Sequence, residues 1–400
     1  MDSDGIEPRR APAPLRGALR AALTPRSATT AAFFAFGVAI GVWSGASAAI
    51  VARVGLSPAA YGVALTLFTA AYLAAMSAGG LIARTFTGKR ALIAACAASA
   101  PALAALLLAS GPVSYFALQM AYGFLAGLFD LTMNAAGARI ERGLGRPVLA
   151  SMHGAASAGC ALAAAAAGAV AISGAPWVSC VVVLAVSWAA SAAVAVAVPA
   201  DRGESVGAVG VDRRAFASRA LAALGLVIGA CIACESAAIG WSGLVLRREA
   251  PELAAFAGLG AAFFAGCQAL QRFNVDRLRA RIADRWLIVG SLAVASLGFS
   301  LVAAGRGFVL SVAGFAVIGF GTGAVVPCGF ALAARQPGAT AAAGLSAAAF
   351  FGAFARLPAP LIAGAVADAL SLSAAFALFA LLLIAALAAT LRFVGPRPTA

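Results

Sequence analysis

Apolar runs of about 17–25 residues recur along nearly the whole chain, and each is long enough for a helix to cross the hydrocarbon of a bilayer. No other feature restricts the fold as strongly. A transmembrane barrel would instead alternate apolar and polar positions in runs of about ten, and no such alternation appears. Composition agrees: 63% of the 400 residues are hydrophobic and only 10% are charged, against about 25% charged in a soluble globular chain. So few charges cannot cover a water-facing surface. The chain reads as an all-α polytopic membrane protein.

Twelve membrane-spanning helices are predicted, at 29–52, 58–83, 89–110, 113–137, 147–173, 176–198, 219–242, 252–271, 286–305, 307–333, 339–366 and 371–392, here helices 1 to 12. Residues 1–28, rich in arginine and proline, read as a disordered cytoplasmic tail. The first run is too long for a typical cleaved signal and is expected to remain as helix 1. A net charge of +14 raises the question of nucleic acid, but the charges lie between the apolar runs, mostly in alternate gaps. That is the positive-inside pattern, and it places both termini in the cytoplasm. Arg53, Arg247, Arg248 and Arg306 fall in gaps on the opposite side, and Arg356 falls within helix 11. The hydrophilic gap 199–218 reads as a cytoplasmic linker between a six-helix unit at 29–198 and another at 219–392, with a cytoplasmic tail at 393–400. The halves echo one another. Gly41-Val42-Trp43-Ser44-Gly45 in helix 1 matches Gly240-Trp241-Ser242-Gly243 in helix 7, and SPAAYG (57–62) matches PELAAFAG (251–258) at nearly the same offset.

Three stretches carry a family resemblance: GLFDLTMNAAGARIERGLGRPVLASMHGAASAG (127–159), ESAAIGWSGLVLRRE (235–249) and QRFNVDRLRARIADR (271–285), the last expected as the loop between helices 8 and 9. On these the chain resembles a bacterial major facilitator superfamily (MFS) transporter, and more narrowly its fucose-permease-like branch. The resemblance implies two pseudo-symmetric six-helix bundles in the inner membrane, alternating access, and a substrate held between the halves near the midplane. The family's hallmark loop after helix 2 reads G-x-x-x-D-R-x-G-R-[RK]. Here Gly80, Arg84, Gly88, Lys89 and Arg90 occupy it, with the aspartate missing and one extra residue. The counterpart after helix 8 keeps Asp276-Arg277. A charge clasp gating the cytoplasmic face is thereby implied, weaker on the side that lacks its acid.

Asp130 is an acid inside an apolar helix, with Asn134 one turn later on the same face. Such an acid normally faces a polar interior and marks a pathway. It can hold a proton and release it as its exposure to water alternates; family relatives that import sugars with protons carry an acid followed by Asn at this spacing. The competing reading is an acid hydrogen-bonded within its own half or paired with Arg139. His153, the single histidine, lies at similar depth in helix 5, either as a proton relay or as a packed helix residue. Glu235 and Arg356 match in depth on helices 7 and 11. Lone charges there are expensive, so an ion pair is expected, either static or with Arg356 on a substrate oxygen while Glu235 takes a proton. Trp43 and Trp241 hold matching positions on helices that line the cavity in this family. They offer flat faces to a ring or, for Trp241 especially, an interfacial anchor. Gln119, Tyr72 and Gln268 are further polar candidates.

The cysteines, including Cys231-x-x-Cys234, read as small buried thiols rather than metal ligands. No Walker loop, catalytic triad or metal-ligand set is present, so no enzyme activity, cofactor or metal is expected. The expected partners are a small-molecule substrate, protons and the lipid bilayer, not nucleic acid, and the chain is expected to be a monomer. Uptake of a sugar or small polar solute, coupled to protons, is favoured. Proton-driven efflux of a hydrophobic compound is the alternative, and a non-transporting sensor or scaffold on the same fold is a third.

Overall fold

The computed structural model describes residues 23–78, 85–199 and 213–394. The helices are α1 (Pro25–Val54), α2 (Pro58–Ser77), α3 (Gly88–Leu107), α4 (Pro112–Leu144), α5 (Leu149–Ile172), α6 (Trp177–Ala197), α7 (Arg219–Glu249), α8 (Leu259–Arg279), α9 (Asp284–Ala303), α10 in two pieces (α10a, Phe308–Thr322; α10b, Val325–Ala334), α11 in two pieces (α11a, Ala341–Arg356; α11b, Ala359–Ala369) and α12 (Leu372–Phe393). Among the described residues, eleven spans are long and apolar enough to cross a membrane by length and composition. The polar last turns of α8 keep it out of that set. Expected positions 1–22, Arg84, most of the linker and the last residues lie outside the described residues.

The helix starts follow local chemistry. Thr24 and Ser27 form a reciprocal cap ahead of Pro25, and the Ser57 side chain caps α2 ahead of Pro58. In both, proline takes the first helical position, where no amide partner is needed. Gly55 (φ 73°) and Gly145 (φ 61°) end α1 and α4 in the left-handed conformation, which glycine adopts without Cβ strain. Several ends differ from expectation. α4 continues past Gly137 to Leu144, α7 past Ser242 to Glu249, and α8 past Gln271 to Arg279. The stretch 271–285, expected as a loop, is therefore helical through Arg279. α11, expected unbroken, is interrupted after Arg356, where Pro358 lacks the amide that a continuous helix requires.

Small residues set the helix spacing. Gly37, Gly41 and Gly45 of α1 lie against the backbone of Ala156, Cys160 and Ala164 of α5, with no space for a side chain. Gly123 and Gly127 of α4 meet Phe68 and Tyr72 of α2 in the same way. Replacing Gly37 with Leu is expected to destabilise the detergent-solubilised protein by about 1–3 kcal/mol or more through overpacking. An unchanged melting curve would show that the α1–α5 approach is looser than this.

One set of contacts between the first six helices and the last six lies where α1 finishes and α2 begins; this is the far end, opposite the one that carries most of the basic residues. There Tyr61 Oη donates to Gly240 O at 2.7 Å and Arg247 Nη1 donates to Ala48 O at 3.0 Å. The Ser44 hydroxyl donates to Ile239 O. Gly62 of α2 and Gly364 of α11b face each other backbone to backbone, and α5 lies along α8.

A candidate substrate and proton site between the halves

Two backbone approaches assemble the first-half side of the site. Gly127 holds α4 against Tyr72, with space of only 2.5 Å between a hypothetical Cβ and Tyr72 O. One turn further along α4, Asp130 interacts with the Tyr72 hydroxyl. The Gly37 contact sets α5 so that His153 lies edge-on to Phe33, with ring centroids 5.0 Å apart. Asn134 joins the two. Its Nδ2 donates to Asp130 Oδ1 at 3.0 Å and to Asp130 O at 2.9 Å, and its Oδ1 meets His153 Nε2 at 2.9 Å. An amide that uses its NH₂ on the acid presents its oxygen to the imidazole, so Nε2 is the donor in that bond. Asp130, Asn134 and His153, singled out separately from sequence, thus form one hydrogen-bonded chain. Arg139 lies beside Gly88 near the basic end, more than two turns along α4 from Asp130.

The second-half side departs from expectation. Glu235 does not pair with Arg356. Its partner is Arg272 of α8, whose Nη2 lies 3.5 Å from Glu235 Oε2, with side chains 17% and 12% exposed for Arg272 and Glu235. Arg272 Nη1 also donates to Ser157 Oγ of α5 at 3.0 Å, and Ser157 Oγ donates to Gln268 Oε1 at 3.1 Å. Gln268 Nε2 reaches Thr322 Oγ1 of α10a at 3.3 Å. One guanidinium therefore links α7, α8 and α5 across the interface between the halves. The sequence reading missed it because Arg272 was assigned to a loop; the signal was present in Gln268 and Arg272, spaced one helical turn apart.

Arg356 sits at the end of α11a with its guanidinium 4.6 Å from the centroid of Tyr72 of α2, a second contact across the halves. Its positive charge also acts on the Asp130 and Glu235 carboxylates, without an ion pair to either. The central site therefore holds two carboxylates and two guanidiniums; Asp130 comes from the first half, and Glu235, Arg272 and Arg356 come from the second.

Both tryptophans are buried. Trp43 is 5% exposed and stacks on Phe68 at 5.6 Å, and Trp241 is 2% exposed and lies edge-on to Tyr61 at 4.9 Å. They pack into the far-end closure, above the charged cluster, so Trp241 is not an interfacial anchor. Trp177 and Trp286, at the starts of α6 and α9, are 61% and 56% exposed and suit that role. Gln119 is fully buried, with neither amide atom hydrogen-bonded.

At the basic end the strongest clasp differs from the expected one. Asp276 is exposed and lies 3.9 Å from Arg279, while Arg277 donates to Asn274 at 3.1 Å. The carboxylate that organises this end is Asp284, at the first position of α9, with Arg279 Nε and Arg335 Nη2 both at 2.7 Å. It ties α8, α9 and α10b together. In the first half, Lys89 Nζ donates to Ala195 O at 2.7 Å, joining α3 to α6, and Arg90 is exposed. Glu141 accepts from the amides of Val148 and Leu149 at 2.8 and 2.9 Å, where the positive end of α5 favours a carboxylate.

Comparison with known proteins agrees with this architecture. No family model matches the chain. It is 27% identical to the uncharacterised transporter y4wD of Sinorhizobium fredii, over 93% of this chain and 98% of that one. It is 24% identical to an uncharacterised MFS-type transporter of Yersinia pestis, over 92% and 95%. In structure it is similar to a mutant of the nucleoside transporter NupG, with TM-score 0.75 and 13% identity over 93% of this chain and all of that one. A bacterial homologue of the human lysosomal transporter Spinster, inward-facing and occupied, aligns with TM-score 0.70 and 13% identity over 96% and 98%. The chain thus has the fold of these carriers, and the sequence relatives that match it over nearly their full length are transporters, so it is a membrane transporter similar to those of the MFS type.

Proposed function

We propose that this transporter moves a small polar solute by alternating access and couples that movement to a proton carried on Asp130. The observation that carries the reading is the Asp130–Asn134–His153 chain, which lies beside Tyr72 of its own half and faces Arg356 of the other. A carboxyl in that position changes its neighbours whenever the halves rock, so its proton affinity and the conformation are linked. His153 and Asn134 lead from the carboxyl toward α5 and provide a path for the proton. If the N-terminus is in the cytoplasm, as the basic residues suggest, the far-end contacts are the outer ones, which is the arrangement expected of an inward-facing carrier. The inward proton gradient of a bacterial inner membrane then drives uptake. Lys89, Arg90, Asp276 and Arg277, with the Asp284 clasp, would gate the opposite end.

The test is Asp130→Asn in proteoliposomes. Solute exchange without a gradient is expected to persist, while accumulation driven by a pH gradient is lost. Undiminished proton-linked accumulation would sink the assignment.

A further inference from the structure

Among the four charges between the halves, Arg356 is the one without a matched acceptor. Glu235 has Arg272, Arg272 also has Ser157, and Asp130 has Asn134 and Tyr72. Arg356 makes no ion pair with any carboxylate among the described residues, its Nε is buried without a hydrogen-bond partner, and its guanidinium rests on the Tyr72 ring. A ring face attracts the cation but accepts few of its five N–H donors. The fork geometry of a guanidinium matches a carboxylate, which takes two parallel bonds from it.

The charge count gives a second, independent argument. Two carboxylates, Asp130 and Glu235, stand against two guanidiniums, Arg272 and Arg356, so their formal charges cancel. Adding a proton to Asp130 leaves one net positive charge. A net charge is expensive while the site is sealed from water during reorientation. A single negative charge on the solute restores neutrality, and Arg356 is the cation free to receive it.

We propose that the solute is an organic monocarboxylate whose carboxylate docks on Arg356, and that it crosses together with one proton as an electroneutral pair. This rests on the assignment of the proton to Asp130. The groups facing that carboxyl are Asn134 on its own helix, Tyr72 from α2, Arg356 from α11, Arg272 from α8 and, through Asn134, His153 from α5; Glu235 lies behind Arg272. From Arg356 the aromatic rings of Tyr72, Phe68 and Trp43 continue as a ridge toward the far end, with successive centroids 5.9 and 5.6 Å apart. Trp43 and Tyr72 are buried and Phe68 is half-buried, so Phe68 is the ring of the three that is open to a solute, and it favours a flat, largely apolar body over a polyhydroxylated one.

The experiment uses the full chain in proteoliposomes with an imposed pH gradient and the membrane potential clamped at two values. The probes are benzoate, 4-hydroxybenzoate and phenylacetate, each beside its neutral amide, with L-fucose as the neutral sugar. At least one acid is expected to accumulate at a rate independent of potential, its amide not at all, and Arg356→Gln should slow the acid on the order of ten-fold or more. If Arg356→Gln does not fold, Arg356→Lys, which keeps the charge but loses the fork, is read for a raised KM. The proposal is overturned if no acid accumulates, if a neutral probe is carried as well as the acids, if the flux follows the potential, or if the variants transport like the wild type. Proton-coupled movement of L-fucose that Asp130→Asn abolishes would overturn it while leaving the proton assignment standing. Carboxylate flux indifferent to Asp130→Asn would instead remove the proton assignment.

Discussion

Replacing Arg272 with methionine is expected to destabilise the folded protein by about 3–5 kcal/mol, the usual result of leaving one member of a buried pair without its partner. Glu235, 12% exposed, would lose the guanidinium 3.5 Å away, and the Ser157 hydroxyl would lose a donor from across the interface. Removing both charges should cost far less. In the double variant Arg272→Met, Glu235→Gln no carboxylate is stranded, and the melting temperature should return most of the way to wild type. Thermal unfolding of the wild type, the two single variants and the double variant in detergent forms a complete cycle. If the double variant is as unstable as the sum of the singles, the two side chains do not act as a pair. Transport is expected to fail even in the restored double variant, because Arg272 also carries the link between α8 and α5.

Replacing Gly62 with valine is expected to prevent closure of the far end. A Cβ at Gly62 would lie 2.6 Å from Pro360 O and 2.8 Å from Gly364 Cα, which are backbone atoms of the other half and cannot move aside alone. The strain falls only on the closed arrangement, since the two glycines meet only there, so the equilibrium shifts toward the opened one by whatever the clash costs. Overpacking of this kind costs about 1–3 kcal/mol, a factor of about 5 to 150 in the ratio of states. Spin labels on Val113→Cys and Val309→Cys report it. Both residues begin far-end helices, α4 and α10a, one in each half, and both are strongly exposed. The valine variant should show a longer label separation and transport reduced to a small fraction of wild type. An unchanged separation would mean that the glycine contact does not control the closure.

Much of the candidate site was legible before the fold was known, for reasons of spacing. Asp130 and Asn134 share a helix face by their i,i+4 separation, and the short turn between α4 and α5 returns His153 to the same depth. Local periodicity and a tight connection suffice to place three such residues together. The pairing of Glu235 was misread because matching depth on two helices says nothing about which faces them. The choice between Arg356 and Arg272 depends on the rotation of α8 about its axis, which its packing on α5 sets. The clasp was misread for a related reason. Asp276 carries the motif, but Asp284 lies where Arg279 and Arg335 converge from separate elements.

By itself, the sequence determined the class and the presence of costly charges within apolar helices. Lipid allows an apolar run of this length to be little other than a helix, and an ionisable group within it must face something polar. The tertiary structure alone decided where the helices end and what the charges meet. α8 remains helical through Arg272 and Arg279 because the neighbouring helices supply acceptors for those guanidiniums, Glu235 for one and Asp284 for the other. α11 breaks after Arg356 and leaves its guanidinium on a ring from the other half. Such partners lie far away in sequence, and only the packing of the two halves brings them together.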